Sequence, residues 1–197
     1  VMRDHGISDY RLEARWRTLQ KHVLTGRDLN PDDLTPAQIN SLCADTSLWN
    51  MQELERLQWI LEQSRASGLA VFTIVGSGHE DAVPVYPDGR VMAPATPAWQ
   101  APTGFVRVSA DEYIYNLKLY AHTVIRRFAG DVDVWQLENE LNAAGWAAAD
   151  PEWWRKGDLW QDAVFRDRVW STLVDAVQVQ DPEARIAHDF HMLEIMP

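Results

Sequence analysis

Residues 132–142 read VDVWQLENELN, and this stretch decides which fold we expect. Its first half is typical of a buried strand, because β-branched and aromatic residues recur there after Gly130, a residue that interrupts regular structure. Its second half turns polar and ends in carboxylates and amides. A strand that leaves the core can present an acid from a rigid base, so the sequence predicts an active site at the carboxyl end of this strand.

Three other segments are predicted to be strands of the same sheet: residues 10–14, 69–75 and 185–190. The run at 69–75 is almost continuously apolar, as expected for a strand of a parallel sheet that is buried on both faces. Helical segments, with apolar residues every three or four positions, lie between the strands. This alternation predicts an α/β fold with a parallel sheet and right-handed crossover connections.

The ends of these helices are also marked in the sequence. Asn50 with Glu53, and Ser109 with Glu112, have the spacing of N-terminal capping boxes. Residues 76–108 are interrupted by prolines and are expected to form one long loop of a kind that is usually functional. The last helix is expected to run through the apolar residues Val164, Val169, Trp170, Leu173, Val174 and Val177 and to end at Asp181-Pro182.

The composition is that of an ordinary globular domain. The chain has 197 residues, of which 46% are hydrophobic and 24% charged, so it can bury a core. A net charge of -11 argues against nucleic acid or an anionic membrane surface as the partner, since both attract basic patches. Cys43 is the single cysteine and permits no internal disulfide, and no apolar run is long enough for a membrane span.

Two motifs resemble those of one enzyme group. Asn139-Glu140-x-Asn142, following Trp135, resembles the acid/base strand of the clan A retaining glycoside hydrolases, in which an Asn-Glu pair closes the fourth barrel strand. The resemblance implies a (β/α)8 barrel, whose active sites lie at the carboxyl ends of the strands. Residues 6–16 resemble the second strand of that clan, and there the likeness implies that Arg11 approaches the nucleophile.

Four strands are half of what a closed barrel needs. Residues 1–197 are therefore interpreted as an incomplete glycoside hydrolase catalytic domain, a partial TIM barrel that comprises the second to fifth βα units. An open doubly wound sheet would also fit the alternation of strands and helices. The barrel is favoured because Arg11, the Asn139-Glu140 pair and the long loops all fall at the carboxyl ends of strands.

The resemblance implies a double-displacement mechanism. Glu140 would protonate the glycosidic oxygen and later activate water, while a second carboxylate from outside this chain attacks the anomeric carbon. Asn139 would hold a sugar hydroxyl, most plausibly the 2-OH, and no metal or organic cofactor is required. The expected partner is an oligosaccharide, a polysaccharide or another glycoside. In the long loops His79 could donate a hydrogen bond to the sugar, and Trp99 and Trp146 could stack on it.

Two residues depart from the pattern of the clan. Glu138 occupies a position where an apolar or aromatic residue is common, and Leu141 occupies one where proline is frequent. In a regular strand, Asn139 and Glu140 would face opposite ways, so a shared site implies a bulge or the end of the strand. Glu138 could raise the pKa of a neighbouring acid by repulsion. We expect instead that its side chain points into a solvated loop.

Two other interpretations remain open. One is a noncatalytic carbohydrate-binding barrel, in which the same aromatic loops bind sugar without cleaving it. The other is a metal-dependent barrel hydrolase that uses His188, Asp189 and His191, whose side chains would converge only if the strand ends near Asp189.

Overall fold

The computed structural model describes residues 6–25, 29–76, 91–94, 105–139 and 162–188. For residues 91–94 and 105–107 it describes the backbone path alone.

The described residues form six strands and five α-helices. The strands are β1 (Asp9–Glu13), β2 (Ala70–Val75), β3 (Val91–Pro94), β4 (Phe105–Val108), β5 (Val134–Leu137) and β6 (Arg185–Ala187). The helices are α1 (Trp16–Leu19), α2 (Pro36–Ala44), α3 (Met51–Ala66), α4 (Ala110–Phe128) and α5 (Ala163–Gln180), with a 3-10 turn at Pro31–Asp33.

Four of the strands form one sheet in the order β1-β2-β5-β6, and every neighbouring pair is parallel. The predicted alternation of strands and helices in an α/β fold is therefore confirmed. The register aligns Glu13, Ile74, Gln136 and Ala187 in one row across the sheet. Because all four strands run the same way, their carboxyl ends meet at one edge.

The two faces of this sheet differ. One face carries Leu12, Val75, Trp135 and Leu137, all of which are buried in a core shared with α3, α4 and α5. Side chains alternate along a strand, so the residues of the row that begins with Glu13 lie on the opposite face. We call this second face, which carries Arg11, Glu13, Ile74 and Gln136, the open face.

The capping residues lie where they were expected. The Asn50 side chain accepts from the backbone N–H of Glu53 at 3.3 Å, and Ser109 accepts from that of Glu112 at 3.1 Å. The first capping box is incomplete, however. The Glu53 carboxylate pairs with Arg56 at 2.6 Å, and the backbone N–H of Asn50 donates to Leu19 instead.

One expectation about local structure was wrong. Residues 76–108 are not one continuous loop, since β3 and β4 lie within them and pair in parallel. The last predicted helix is confirmed as α5, in which Val164 is 68% exposed, whereas Val169, Leu173 and Val177 are buried. The reason is helical geometry, because a residue five positions before Val169 lies about 140° around the helix from it. Phe165, four positions before Val169, occupies the buried stripe instead.

No helix among the described residues is both long enough and apolar enough to cross a membrane.

Candidate active site

Asn139 lies at the centre of a polar cluster at the carboxyl ends of the strands. The Arg11 guanidinium donates from Nη2 to Asn139 Oδ1 at 2.8 Å, and Gln136 Nε2 donates to the same oxygen at 3.3 Å. Arg11 and Gln136 both belong to the open face, and they come from different strands of the sheet. The structure therefore brings together Arg11 and Asn139, two of the residues that the sequence singles out.

A sharp turn at Glu138 places Asn139 on the open face. The strand β5 ends at Leu137, and Glu138 has a φ of 57°, in the left-handed region. A regular continuation would leave Asn139 on the helical face with Leu137, because successive side chains alternate. The turn reverses that alternation. The end of the strand, which a shared site for Asn139 and Glu140 required, is thus present two residues before Asn139.

The expectation that Glu138 points into solvent was wrong. Its exposed fraction is 0%, and its carboxylate lies directly against the backbone of Gly76, at the end of the neighbouring strand β2. A Cβ atom added to Gly76 would lie 2.5 Å from Glu138 Cδ and 2.7 Å from Oε2. Gly76 also has a φ of 153°, which L side chains rarely adopt. Glycine is therefore required at this position both by space and by conformation.

Tyr120 supports this region from α4. Its hydroxyl donates to the carbonyl oxygen of Ala14 and accepts from the backbone N–H of Gly76 at 3.5 Å. Burial raises the pKa of Tyr120, and the negative charges of Glu138 and Glu13 raise it further. The phenol therefore stays protonated over the whole physiological range and keeps its donor hydrogen.

His188 follows β6 at the same edge of the sheet. Its Nδ1 lies 2.9 Å from the carbonyl oxygen of Leu137, which can only accept, so Nδ1 carries the proton. The imidazole packs against the Trp170 ring in a T-shaped arrangement, with 4.8 Å between the ring centroids. Within the ranges that the structure describes, no group of three potential ligands could hold a metal ion. Asp189 and His191 lie outside these ranges.

Glu140, His79, Trp99 and Trp146 all lie outside the described residues.

Sequence reasoning missed Gln136 and Gly76, and it assigned Tyr120 to the core alone. A signal existed for Gln136, since it is the one uncharged polar residue within an apolar strand, two positions before Glu138. None existed for the contact of Glu138 with Gly76, which joins the ends of two strands far apart in the sequence.

The four-stranded parallel sheet with its helices has the fold of part of a (β/α)8 barrel. One similar solved structure is that of Fpglu1 from Fervidobacterium pennivoraus, with a TM-score of 0.62 and 17% identity over 95% of this chain. Another is a hyperthermophilic β-glucosidase mutant that forms a dodecameric structure in the crystal, with a TM-score of 0.61 and 15% identity over 94% of this chain.

The chain spans 38% and 43% of the lengths of these two proteins. No protein-family model matches the chain, and no curated protein matches its sequence. At these identities the likeness establishes the fold.

Proposed function

We propose that this chain is part of a retaining glycoside hydrolase that cleaves O-glycosidic bonds, and that residues 1–197 supply its second to fifth βα units. The observation that carries the proposal is the 2.8 Å hydrogen bond between Arg11 and Asn139 on the open face. This bond connects the two sequence motifs that resemble the clan. They meet at the carboxyl edge of the sheet, where barrel enzymes have their active sites. The likeness of the fold to a β-glucosidase supports the same conclusion.

The reaction takes place in two steps. In the first, a carboxylate attacks the anomeric carbon, the bond from that carbon to the glycosidic oxygen breaks, and Glu140 gives its proton to the departing oxygen. In the second, Glu140 removes a proton from water, whose oxygen displaces the carboxylate from the anomeric carbon. Glu140 is assigned this role because it directly follows Asn139, as in the motif that it resembles.

Asn139 is assigned to the sugar 2-OH. Its Oδ1 accepts from Arg11 and Gln136, which fixes the rotation of the amide. The Nδ2 group is then the part of Asn139 that would donate to a hydroxyl oxygen. A donor that is already oriented needs no reorganisation as charge develops in the transition state, which is how such groups accelerate a reaction.

Arg11 orients Asn139 in this proposal and carries positive charge toward the nucleophile. His79, Trp99 and Trp146 are proposed to contact the sugar from the loops, by a hydrogen bond from His79 and by stacking on the two indoles. The substrate class is an oligosaccharide, a polysaccharide or another glycoside. The mechanism needs no cofactor.

The nucleophile is proposed to lie outside these 197 residues. A retaining mechanism needs two carboxylates about 5 to 5.5 Å apart on either side of the scissile bond. Glu138 is fully buried against Gly76. Glu13 lies on the open face but is paired with Arg15 at 2.9 Å. We therefore expect no glycoside hydrolysis from this chain alone.

The stereochemistry of the product tests the proposal. In the full-length protein, aryl glycosides of defined anomeric configuration should give a first-formed sugar of the same configuration, observed by proton NMR before mutarotation. Inversion at the anomeric carbon would contradict the double displacement. Saturable sugar binding without any turnover would favour the noncatalytic barrel.

A further inference from the structure

Glu138 combines two unfavourable features in one residue. Its φ of 57° lies in a region that glycine, asparagine and aspartate adopt far more readily than glutamate. Its side chain is fully buried, although a carboxylate loses favourable hydration when it leaves water. Backbone strain of this kind persists where the surroundings enforce it, and it collects at functional sites. Glu138 has no role in the proposed reaction, so that reaction does not explain its strained backbone and buried side chain.

The surroundings hold Glu138 at three points. Its backbone N–H donates to the carbonyl oxygen of Val75 at 2.9 Å, at the last paired position of β2 and β5. Its own carbonyl oxygen accepts from Gln136 Nε2 at 3.1 Å. Its side chain is seated on Gly76, in a space that any other residue at position 76 would fill. The turn is therefore fixed by the ends of two adjacent strands.

The turn at Glu138 determines whether the side chain of Glu138 or that of Asn139 lies beside Gln136 on the open face. Without it, Glu138 would lie on the open face beside Gln136, and Asn139 would face the helices. With it, the Glu138 side chain lies against Gly76, close enough to Tyr120 for its charge to raise the pKa of that phenol. Asn139 takes the open face and meets Arg11.

We propose that Glu138 is a positioning residue, whose side chain, seated on Gly76, holds the turn that delivers Asn139 to Arg11 and Gln136. The kinetic consequence of this inference rests on the proposed function, whereas its structural consequence does not. The proposal assigns Gly76 a matching role, as the seat that must stay without a side chain.

Crystal structures of variants of the full-length protein test the structural consequence. Glu138→Gly accepts the same φ but removes the side chain from its seat. We expect the Arg11 Nη2 to Asn139 Oδ1 distance, now 2.8 Å, to exceed the hydrogen-bonding range of about 3.2 Å. Glu138→Gln, with nearly the same shape, should keep the bond. An unchanged bond in Glu138→Gly would overturn the proposal.

A second pair of variants leaves Glu138 itself in place. Gly76→Ala should push the Glu138 side chain off its seat and break the same hydrogen bond. Gly130→Ala is its matched control, because Gly130 also has a positive φ, 78°, but an added Cβ would meet nothing within 4 Å. Gly130→Ala also places a side chain on a backbone with positive φ but creates no contact with Glu138, so the hydrogen bond between Arg11 and Asn139 should remain. Retention of the bond in Gly76→Ala would also overturn the proposal.

Kinetics separate positioning from a merely structural role. Glu138→Gly should lower kcat on the order of 10²-fold, the effect of misplacing a group by about 1 Å, with KM changed less than about threefold. In an Asn139→Ala background the same substitution should change kcat less than about twofold, since the residue through which it acts is gone. Equal losses in both backgrounds would overturn the proposal. A parent protein that cleaves no glycoside would refute the proposed function instead, and the crystal structures would then decide the positioning role.

Discussion

Arg11 and Asn139 are 128 positions apart in the sequence, yet their side chains are joined by a 2.8 Å hydrogen bond. The bond connects β1 to the turn after β5, across the intervening strand β2. Two crossover connections must fold correctly before these side chains can meet. The cluster on the open face is thus a product of the sheet order, and it gives the two sequence motifs a common location.

Asn139→Ala should slow the hydrolysis of glycosides that carry a 2-OH on the order of 10² to 10³-fold, the usual effect of losing one donor to the transition state. The corresponding 2-deoxy glycosides lack the hydroxyl that Asn139 would hold, so their rates should fall much less. Comparison of kcat/KM for the two substrate series measures the difference. Asn40→Ala, at an exposed residue of α2, is the control and should change neither series. A loss of the same size on both series would contradict the assignment to the 2-OH.

Tyr120→Phe should destabilise the protein by about 1 to 3 kcal/mol, because it leaves the buried carbonyl oxygen of Ala14 without its donor. Urea unfolding monitored by tryptophan fluorescence measures this change in the free energy of unfolding. Tyr115→Phe, at a half-buried position of the same helix, is the control and should change stability by less than about 0.5 kcal/mol. Equal effects of the two substitutions would show that the Tyr120 hydroxyl makes no special contribution.

His122 should make the fold sensitive to acid. Burial lowers its pKa to about 4, with the charge of Lys118 acting in the same direction, and Gln180 lies 3.1 Å from its Nδ1. The unfolded chain takes up this proton near pH 6.5, the folded chain only near pH 4. The contribution of neutral His122 to stability is therefore complete above pH 6.5 and is lost as the pH falls toward 4.

The free energy of unfolding of the parent protein should fall by about 3 kcal/mol more than that of His122→Gln between pH 7 and pH 4. Urea unfolding at a series of pH values measures this difference. His22→Gln, at an exposed residue, should follow the parent curve. Parallel curves for the parent and His122→Gln would mean that the burial of His122 has no such effect.

Local patterns predicted most of the architecture, because the signals for it lie close together in the sequence. The apolar run before Gly76, the capping residues Asn50 and Ser109, and the periodic stripe of α4 each depend on neighbours within a few positions. The course of the chain after Leu137 depends on distant contacts instead. A glutamate in the left-handed region has no local signature, so the burial of Glu138 could not be predicted.

The site was predictable in part for the same reason. Arg11 and Asn139 were identified through motifs, and the structure brings them together. Gln136 can orient Asn139 only because the turn at Glu138 places the Asn139 side chain on the open face. The role of Gln136 therefore depends on this turn and could not be predicted from the position of Gln136 in the strand.

Glu140→Ala in the full-length protein gives the most direct test of the account. The variant should lose on the order of 10² to 10⁴ in rate on glycosides with poor leaving groups, and much less on those whose leaving group needs no proton. Azide should restore turnover and yield a glycosyl azide of retained configuration, because it replaces the water that Glu140 would activate. Glu55→Ala, which removes an exposed carboxylate on α3, should show neither effect. An equal loss on all leaving groups, with no azide product, would contradict the assignment of Glu140 as the general acid and base.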